Sequence, residues 1–167
     1  MADNKATMTP LSDASRQEID HWLTKYPAEQ KQSAVIPALS IVQEENGGHL
    51  TEGLMNAVAA YLDMPQVSVY EVANFYSMYD REPCGRYKIN LCTNISCMLM
   101  GAEDIVSYVE KKLGIKLGET SPDGKFTLKI EEECLAACNG GPMMALNGHY
   151  YEKLTPEKID EILDGLE

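Results

Sequence analysis

The sequence predicts an α+β/α/β protein in which a small bundle of helices is followed by a four-stranded mixed sheet. Three observations lead to this prediction. Apolar residues recur at helical spacing through most of the first 80 residues. From Tyr87 onward, short apolar runs that are typical of strands lie before and after one long helical pattern. Finally, Asn147-Gly148 separates two short strand-like runs, which is the strongest local signal for a β-hairpin.

Four helices are predicted before residue 80. The first and the fourth open on capping boxes, Ser15-Arg-Gln-Glu18 and Ser68-Val-Tyr-Glu71. The second runs from about Ser33 to Gly47, and Thr51 caps the third. Because the joins between them are short, we expect a small helical bundle.

The rest of the chain predicts strands at residues 87–91, 126–130, 143–146 and 149–151. One helix is predicted at residues 101–113, between the first two strands, so these strands should be parallel with a right-handed crossover. Thr155 and Pro156 open a last helix. This order, β-α-β followed by β-β-α, is the thioredoxin-like order. We therefore expect a flexible arm at 1–14, a helical domain at 15–80 and a thioredoxin-like domain at 81–167.

Charge and hydropathy exclude several classes of function. The chain carries 26 acidic and 14 basic residues, a net charge of -12, which disfavours a nucleic-acid surface. Residues 1–15 contain no apolar segment typical of a secretory signal, and no apolar stretch is long enough to insert into a membrane. We therefore expect a protein of the reducing cytoplasm, where clustered cysteines indicate metal binding more often than disulfides.

Four of the five cysteines form two tight clusters, Cys92-Thr-Asn-Ile-Ser-Cys97 and Cys134-Leu-Ala-Ala-Cys138. Four thiolates in two pairs are the ligand set of a [2Fe–2S] cluster, with one pair for each iron. Both pairs follow predicted parallel strands, whose carboxyl ends open on one edge of the sheet. The sequence therefore predicts one [2Fe–2S] cluster on Cys92, Cys97, Cys134 and Cys138, and one-electron transfer as the function.

Other interpretations of the cysteines fit less well. A structural zinc site also uses four thiolates, but its pairs are more often C-x2-C. A thioredoxin-type dithiol needs C-x-x-C, which is absent. A Rieske centre needs two histidines as ligands, and none of the three histidines lies inside either cysteine cluster. Structural packing remains a further alternative for the pairs. Cys84, between Pro83 and Gly85, is interpreted as a packing residue with a free thiol. No P-loop or dinucleotide motif and no catalytic constellation is recognised.

Several motifs resemble those of one family, the thioredoxin-like [2Fe–2S] subunit (24 kDa type) of the NADH-dehydrogenase module of respiratory complex I. The resemblance covers roughly residues 15–165. The matching stretches are residues 69–78, 83–87 leading into Cys92, 118–124, 133–138 leading to Pro142, and 154–157. Residues 139–142, Asn-Gly-Gly-Pro, are richer in glycine than the commoner form of the family, and no glycine follows Cys92 closely.

The resemblance implies the same four cysteine ligands and a non-autonomous subunit of NADH:quinone oxidoreductase. It also implies docking against the subunit that holds FMN and binds NADH, among other peripheral-arm subunits, at the inner face of the cell membrane. An equivalent subunit of an NAD-linked hydrogenase or formate dehydrogenase, or a mainly structural role in assembly, remains the alternative. We expect Met98, Leu99, Met143 and Met144 to supply a dry contact with the flavin subunit.

Overall fold

The computed structural model describes residues 9–129 and 134–166. The chain divides into two compact units, of which the first ends at Pro83 and the second begins at Cys84. Each unit contains a hydrophobic core of its own.

Four α-helices form the described part of the first unit. They are α1 (Asp13–Leu23), α2 (Val35–Glu45), α3 (Glu52–Tyr61) and α4 (Gln66–Phe75). A 3₁₀ turn at Lys31–Ala34 leads into α2. The helices share one core, to which each contributes a fully buried side chain: Ile19, Leu39, Val58 and Val69.

The helix starts only partly match the sequence prediction. Thr51 caps α3 as predicted, because its side chain accepts the Leu54 N–H at 3.3 Å. The capping box at Ser15 is wrong: Ser12 caps α1, and Ser15 is buried inside that helix, where its hydroxyl bonds Glu45. The capping box at Ser68 is also wrong, since α4 already begins at Gln66.

The segment just before α1 also differs from the expected flexible arm. Leu11 is buried, and the Thr9 N–H donates to the Gly53 carbonyl at 3.3 Å. Leu11 is therefore packed against the helical core, and residues 13 and 14 already belong to α1. Residues 1–8 of the expected arm lie outside the described residues.

The second unit contains the sheet. Its elements are β1 (Tyr87–Leu91), α5 (Ile95–Leu99), α6 (Ala102–Leu113), β2 (Phe126–Lys129), β3 (Met144–Leu146), β4 (His149–Tyr151) and α7 (Pro156–Asp164). The strand order is β2-β1-β3-β4; β1 and β2 are parallel, and the other pairs are antiparallel. The predicted four-stranded mixed sheet is thus confirmed. Position 130, the predicted end of β2, lies outside the described residues.

The hairpin between β3 and β4 forms as predicted. Asn147 (φ 46°) and Gly148 (φ 82°) both adopt the left-handed conformation that a type I′ turn requires. The Asn147 side chain also accepts the Lys88 N–H at 2.8 Å and donates to the Arg86 carbonyl at 3.0 Å. These bonds fix the hairpin against β1, the strand that leads into Cys92.

Candidate metal centre

The first cysteine pair lies at the carboxyl end of β1. Cys92 directly follows this strand and is 2% exposed, and its N–H donates to the Met143 carbonyl at 3.1 Å. Cys97, 1% exposed, lies in the short helix α5, which precedes the helix predicted at residues 101–113 and was not itself predicted. Helix α5 ends at Leu99, and Gly101, whose φ of 91° favours glycine, precedes the next helix, α6. Helix α5 thus turns the second thiol of the pair back towards the first.

The second pair lies nearer the surface. Cys134 and Cys138 are both exposed, and their sulfur atoms are 3.9 Å apart. Two thiolates on one tetrahedral metal, with metal–sulfur bonds of about 2.3 Å, lie about 3.8 Å apart. The Cys134–Cys138 spacing therefore suits two ligands of the same metal ion.

The two pairs face each other. The Cys92 thiol is within hydrogen-bonding reach of the thiols of Cys97 and Cys134, and Cys97 interacts electrostatically with both Cys92 and Cys138. Two pairs of thiols that face each other suit a two-iron cluster, which takes one pair for each iron.

Backbone N–H groups point at the sulfur atoms. Cys92 accepts from Leu135 and Asn94, Cys97 accepts from Met143, and Cys134 accepts from Ala136 at 3.3 Å. Hydrogen bonds of this kind stabilise the anionic form of sulfur and, in iron–sulfur proteins, help to set the reduction potential. The cysteine loops thus supply the donors that thiolate ligands need.

The N–H donors and the burial of the thiols have opposite effects on the pKa values of the cysteines. Burial favours the neutral thiol at Cys92, but hydrogen bonds from the Leu135 and Asn94 N–H groups and from the Cys97 and Cys134 thiols together outweigh it, so the pKa of this thiol is lowered. At Cys97, burial and then the neighbouring Cys92 thiol raise the pKa to about 11. At Cys134, the Ala136 N–H favours the thiolate but is outweighed by the Cys138 thiol, by burial and by nearby charge, so the pKa is raised. Thiolates that lie this close together repel each other, and a bound cation would relieve that repulsion.

An apolar shell surrounds the first pair. Cys92 and Cys97 pack with the buried residues Ala102 and Met143, and the partly buried Leu135 and Ala137 adjoin them. Gly141 lies so close that a Cβ atom at this position would be 3.3 Å from the Cys97 sulfur. The residue types present therefore fit an iron–sulfur cluster: soft thiolates, N–H donors and a dry inner wall.

Helix α5 presents an apolar surface next to the thiols. Its exposed side chains include Ile95, Leu99 and Met98, which are 73%, 78% and 42% exposed, and Met100 after it is 46% exposed. Met98 and Leu99 were individually predicted to supply a dry contact, whereas Ile95 and Met100 were expected on the contact face only as part of the loop from Cys92 to Met100. So short a helix contains no periodic pattern from which they could have been identified.

Two other expected contact residues are buried instead. Met143 and Met144 are 1% and 0% exposed, so the prediction that they line an exposed contact surface is wrong. Met143 packs on the thiols, and Met144 packs in the core of the sheet. Adjacent residues of an extended chain point to opposite faces, which here are both covered.

Cys84 does not belong to this centre. It precedes Gly85, whose N–H donates to the Thr127 hydroxyl at 2.6 Å, so it lies by the amino end of β2. The thiols of the candidate centre lie beyond the carboxyl end of β1, at the opposite edge of the sheet. All five cysteines are within the described residues, and none forms a disulfide.

Comparison with known proteins relates the chain to proteins with this kind of centre. Residues 19–167 match the family model of the thioredoxin-like [2Fe–2S] ferredoxin. A protein of Rickettsia felis that is named as a subunit of NADH-quinone oxidoreductase is 47% identical over 142 residues, covering 85% of this chain and 84% of the relative. The corresponding protein of Rickettsia conorii is 46% identical over 145 residues, covering 87% and 86%.

A solved structure supports the fold alone. The crystal structure of an NAD⁺-reducing [NiFe]-hydrogenase in the air-oxidised state is similar with a TM-score of 0.60 at 16% identity. The match covers 80% of this chain but only 22% of the hydrogenase chain. No helix among the described residues is long and apolar enough to span a membrane. With its sheet, its paired cysteines and the match over residues 19–167, the chain belongs to the thioredoxin-like [2Fe–2S] ferredoxin family.

Proposed function

We propose that this chain is an electron-transfer subunit of an NADH:quinone oxidoreductase and carries one [2Fe–2S] cluster. The observation that carries the proposal is the pairwise approach of Cys92, Cys97, Cys134 and Cys138. These four residues are the proposed ligands. The relatives at 46–47% identity bear the name of a subunit of that enzyme, which supports the choice of complex.

The chain's own residues hold the centre and adjust its surroundings. When bound, the cluster would supply one-electron chemistry that the side chains lack. The N–H groups of Leu135, Asn94, Met143 and Ala136 face the sulfur atoms and offset negative charge there. The buried wall formed by Met143 and Ala102 excludes water from the inner pair.

The apolar surface of α5 is the proposed docking face for the partner subunit that holds FMN and binds NADH. Electron transfer falls steeply with distance, so the partner must approach the exposed side of the cysteine loops. Ile95, Leu99 and Met98 lie on the helix that carries Cys97, and their exposure in the isolated chain suits burial in an interface. The partner would lie with the complex at the inner face of the cell membrane.

Iron and sulfide analysis tests the proposed cofactor. Anaerobically purified protein should contain iron and acid-labile sulfide in equal amounts, about two of each per chain. Cys97→Ser should abolish the reduced-state EPR signal or change it strongly, whereas the matched control Cys84→Ser should leave it unchanged. Stoichiometric zinc without a visible chromophore would refute the cofactor assignment.

Co-purification tests the docking face. Leu99→Glu places a charge on the most exposed apolar residue of α5, and Tyr150→Glu places one on an exposed aromatic residue of β4. The first change should reduce recovery of the flavin subunit, and the second should not. Equal recovery in both variants would contradict the assignment of α5.

The second candidate function is a mainly structural role, for which the helical unit is the motivating feature. We propose that α1–α4 form a small bundle domain that supports assembly. Cys97→Ser in the full complex separates the two functions. An intact complex with altered flavin re-oxidation supports electron exchange, and lost assembly with normal turnover in the remaining complex supports scaffolding.

A further alternative is an equivalent subunit of a hydrogenase or formate dehydrogenase, which would be recognised by the large subunit that co-purifies with this chain.

A further inference from the structure

The second cysteine loop is held by a segment far along the chain. This loop runs from Cys138 through Gly140 and Pro142 to Met143. The Lys153 N–H donates to the Gly140 carbonyl at 2.6 Å, and the Leu154 N–H donates to the Pro142 carbonyl at 2.9 Å. Residues 152–154, between β4 and α7, thus bind the loop at two points.

The loop in turn bonds both buried thiol residues through a single residue. The Met143 carbonyl accepts the Cys92 N–H at 3.1 Å, and the Met143 N–H donates to the Cys97 sulfur. Any shift of Pro142 is therefore transmitted to the adjacent Met143 and changes two hydrogen bonds of the first pair. The position of residues 152–154 bears directly on the geometry of the thiols.

Lys158 anchors that segment. Its ammonium, on a half-buried side chain, donates to the Glu152 carbonyl at 2.6 Å. Lys158 lies in the first turn of α7, two residues after Pro156. A cation is unfavourable at this end of a helix because the helix dipole is positive there. The bond to Glu152 supplies a physical reason for a lysine at this position.

We propose that Lys158 is a positioning residue for the cysteine site. Its ammonium holds Glu152, the adjacent Lys153 and Leu154 hold the second cysteine loop, and Met143 of that loop orients Cys92 and Cys97. Lys158 acts through these residues and supplies no ligand. The inference rests on the proposed [2Fe–2S] function.

Three variants in the full-length, cluster-loaded protein test the role. Lys158→Met keeps the apolar stem but removes the bond and the charge, and Lys158→Arg keeps a cationic donor. Lys153→Met is the matched control, because it removes an exposed charge from the same segment but leaves the Lys153 N–H in place. The readouts are the rate of iron release to a chelator and the reduced-state EPR g values.

We expect Lys158→Met to release iron about tenfold faster, the effect of losing one hydrogen bond from a charged group. Its g values should also shift, which a uniform loss of stability would not cause. Lys158→Arg should restore most of the wild-type behaviour, and Lys153→Met should resemble the wild type. Equal behaviour of Lys158→Met and Lys153→Met would overturn the inference. If the wild-type protein holds no cluster, the proposed function fails instead.

Discussion

Two adjacent methionines allow stability and cluster properties to be separated. Met143 is buried against Cys92 and Cys97, and its neighbour Met144 is equally buried but packs in the sheet core with Ile89. We expect Met143→Ala and Met144→Ala to destabilise the fold to a similar extent. Only Met143→Ala should alter the cluster, because only that cavity adjoins the thiols.

The magnitude follows from the burial of the two side chains. Truncation to alanine removes three heavy atoms beyond Cβ, and at about 0.8 kcal/mol for each the transfer loss is about 2.4 kcal/mol. The cavity left behind adds to this, so the free energy of unfolding should fall by about 3–4 kcal/mol in each variant. Water entering beside Cys92 and Cys97 stabilises additional negative charge. The midpoint potential of Met143→Ala should therefore rise above that of the wild type.

Anaerobic urea denaturation followed by circular dichroism measures the first effect, and a redox titration followed by EPR measures the second. Two results would refute the reasoning. One is a potential shift of equal size in Met143→Ala and Met144→Ala. The other is a loss of less than about 1 kcal/mol in either variant, which would mean that the side chain is not well packed.

Three further predictions concern the stability of the two units. Gly85→Ala should lower the free energy of unfolding by about 1–3 kcal/mol in urea denaturation, because the added Cβ would be 2.7 Å from the Phe126 carbonyl carbon. Thr155→Ala should lower the free energy of unfolding by about 1 kcal/mol in the same assay, since it removes the side-chain cap of α7. Burial raises the pKa of Tyr79 above its ordinary value of 10.0, so the folded state favours the neutral phenol. That contribution is complete below pH 10 and is lost as the pH rises through the folded-state pKa, so Tyr79→Phe should flatten the alkaline loss of stability in the pH dependence of denaturation.

Each of these predictions has a result that contradicts it. A Gly85→Ala protein as stable as the wild type would mean that β2 moves away without cost. If the urea concentration at the unfolding midpoint is unchanged in Thr155→Ala, water replaces the side-chain cap without loss of stability. If the wild type and Tyr79→Phe lose stability equally as the pH rises, the loss comes from other titrating groups.

The sheet was predictable because its signals are local. The Asn147-Gly148 turn and the cap at Thr155 each depend on residues a few positions apart. The capping box at Ser15 fails for the opposite reason. Ser15 is turned inward by its contact with Glu45, thirty residues away, which no local pattern encodes.

The candidate centre was predictable in its residue types but not in its surroundings. The spacing of the cysteines indicates two pairs, and the structure brings these pairs together. Helix α5 is too short for a periodic signal, and its position depends on the bond between Cys92 and Met143, which are 51 positions apart in the sequence. The bond between Lys158 and the Glu152 carbonyl involves a backbone group, so residue identity at position 152 does not indicate it.

The unequal exposure of the two cysteine pairs gives the centre an inner and an outer side. Cys92 and Cys97 are sealed within the fold, whereas Cys134 and Cys138 face solvent. An iron–sulfur donor would meet the outer pair first, so loading would proceed from the surface inward. Oxidants would follow the same route, because exposed thiols are attacked before buried ones. In a chain that has not yet received its iron, the outer pair would therefore be both the point of entry and the first point of damage.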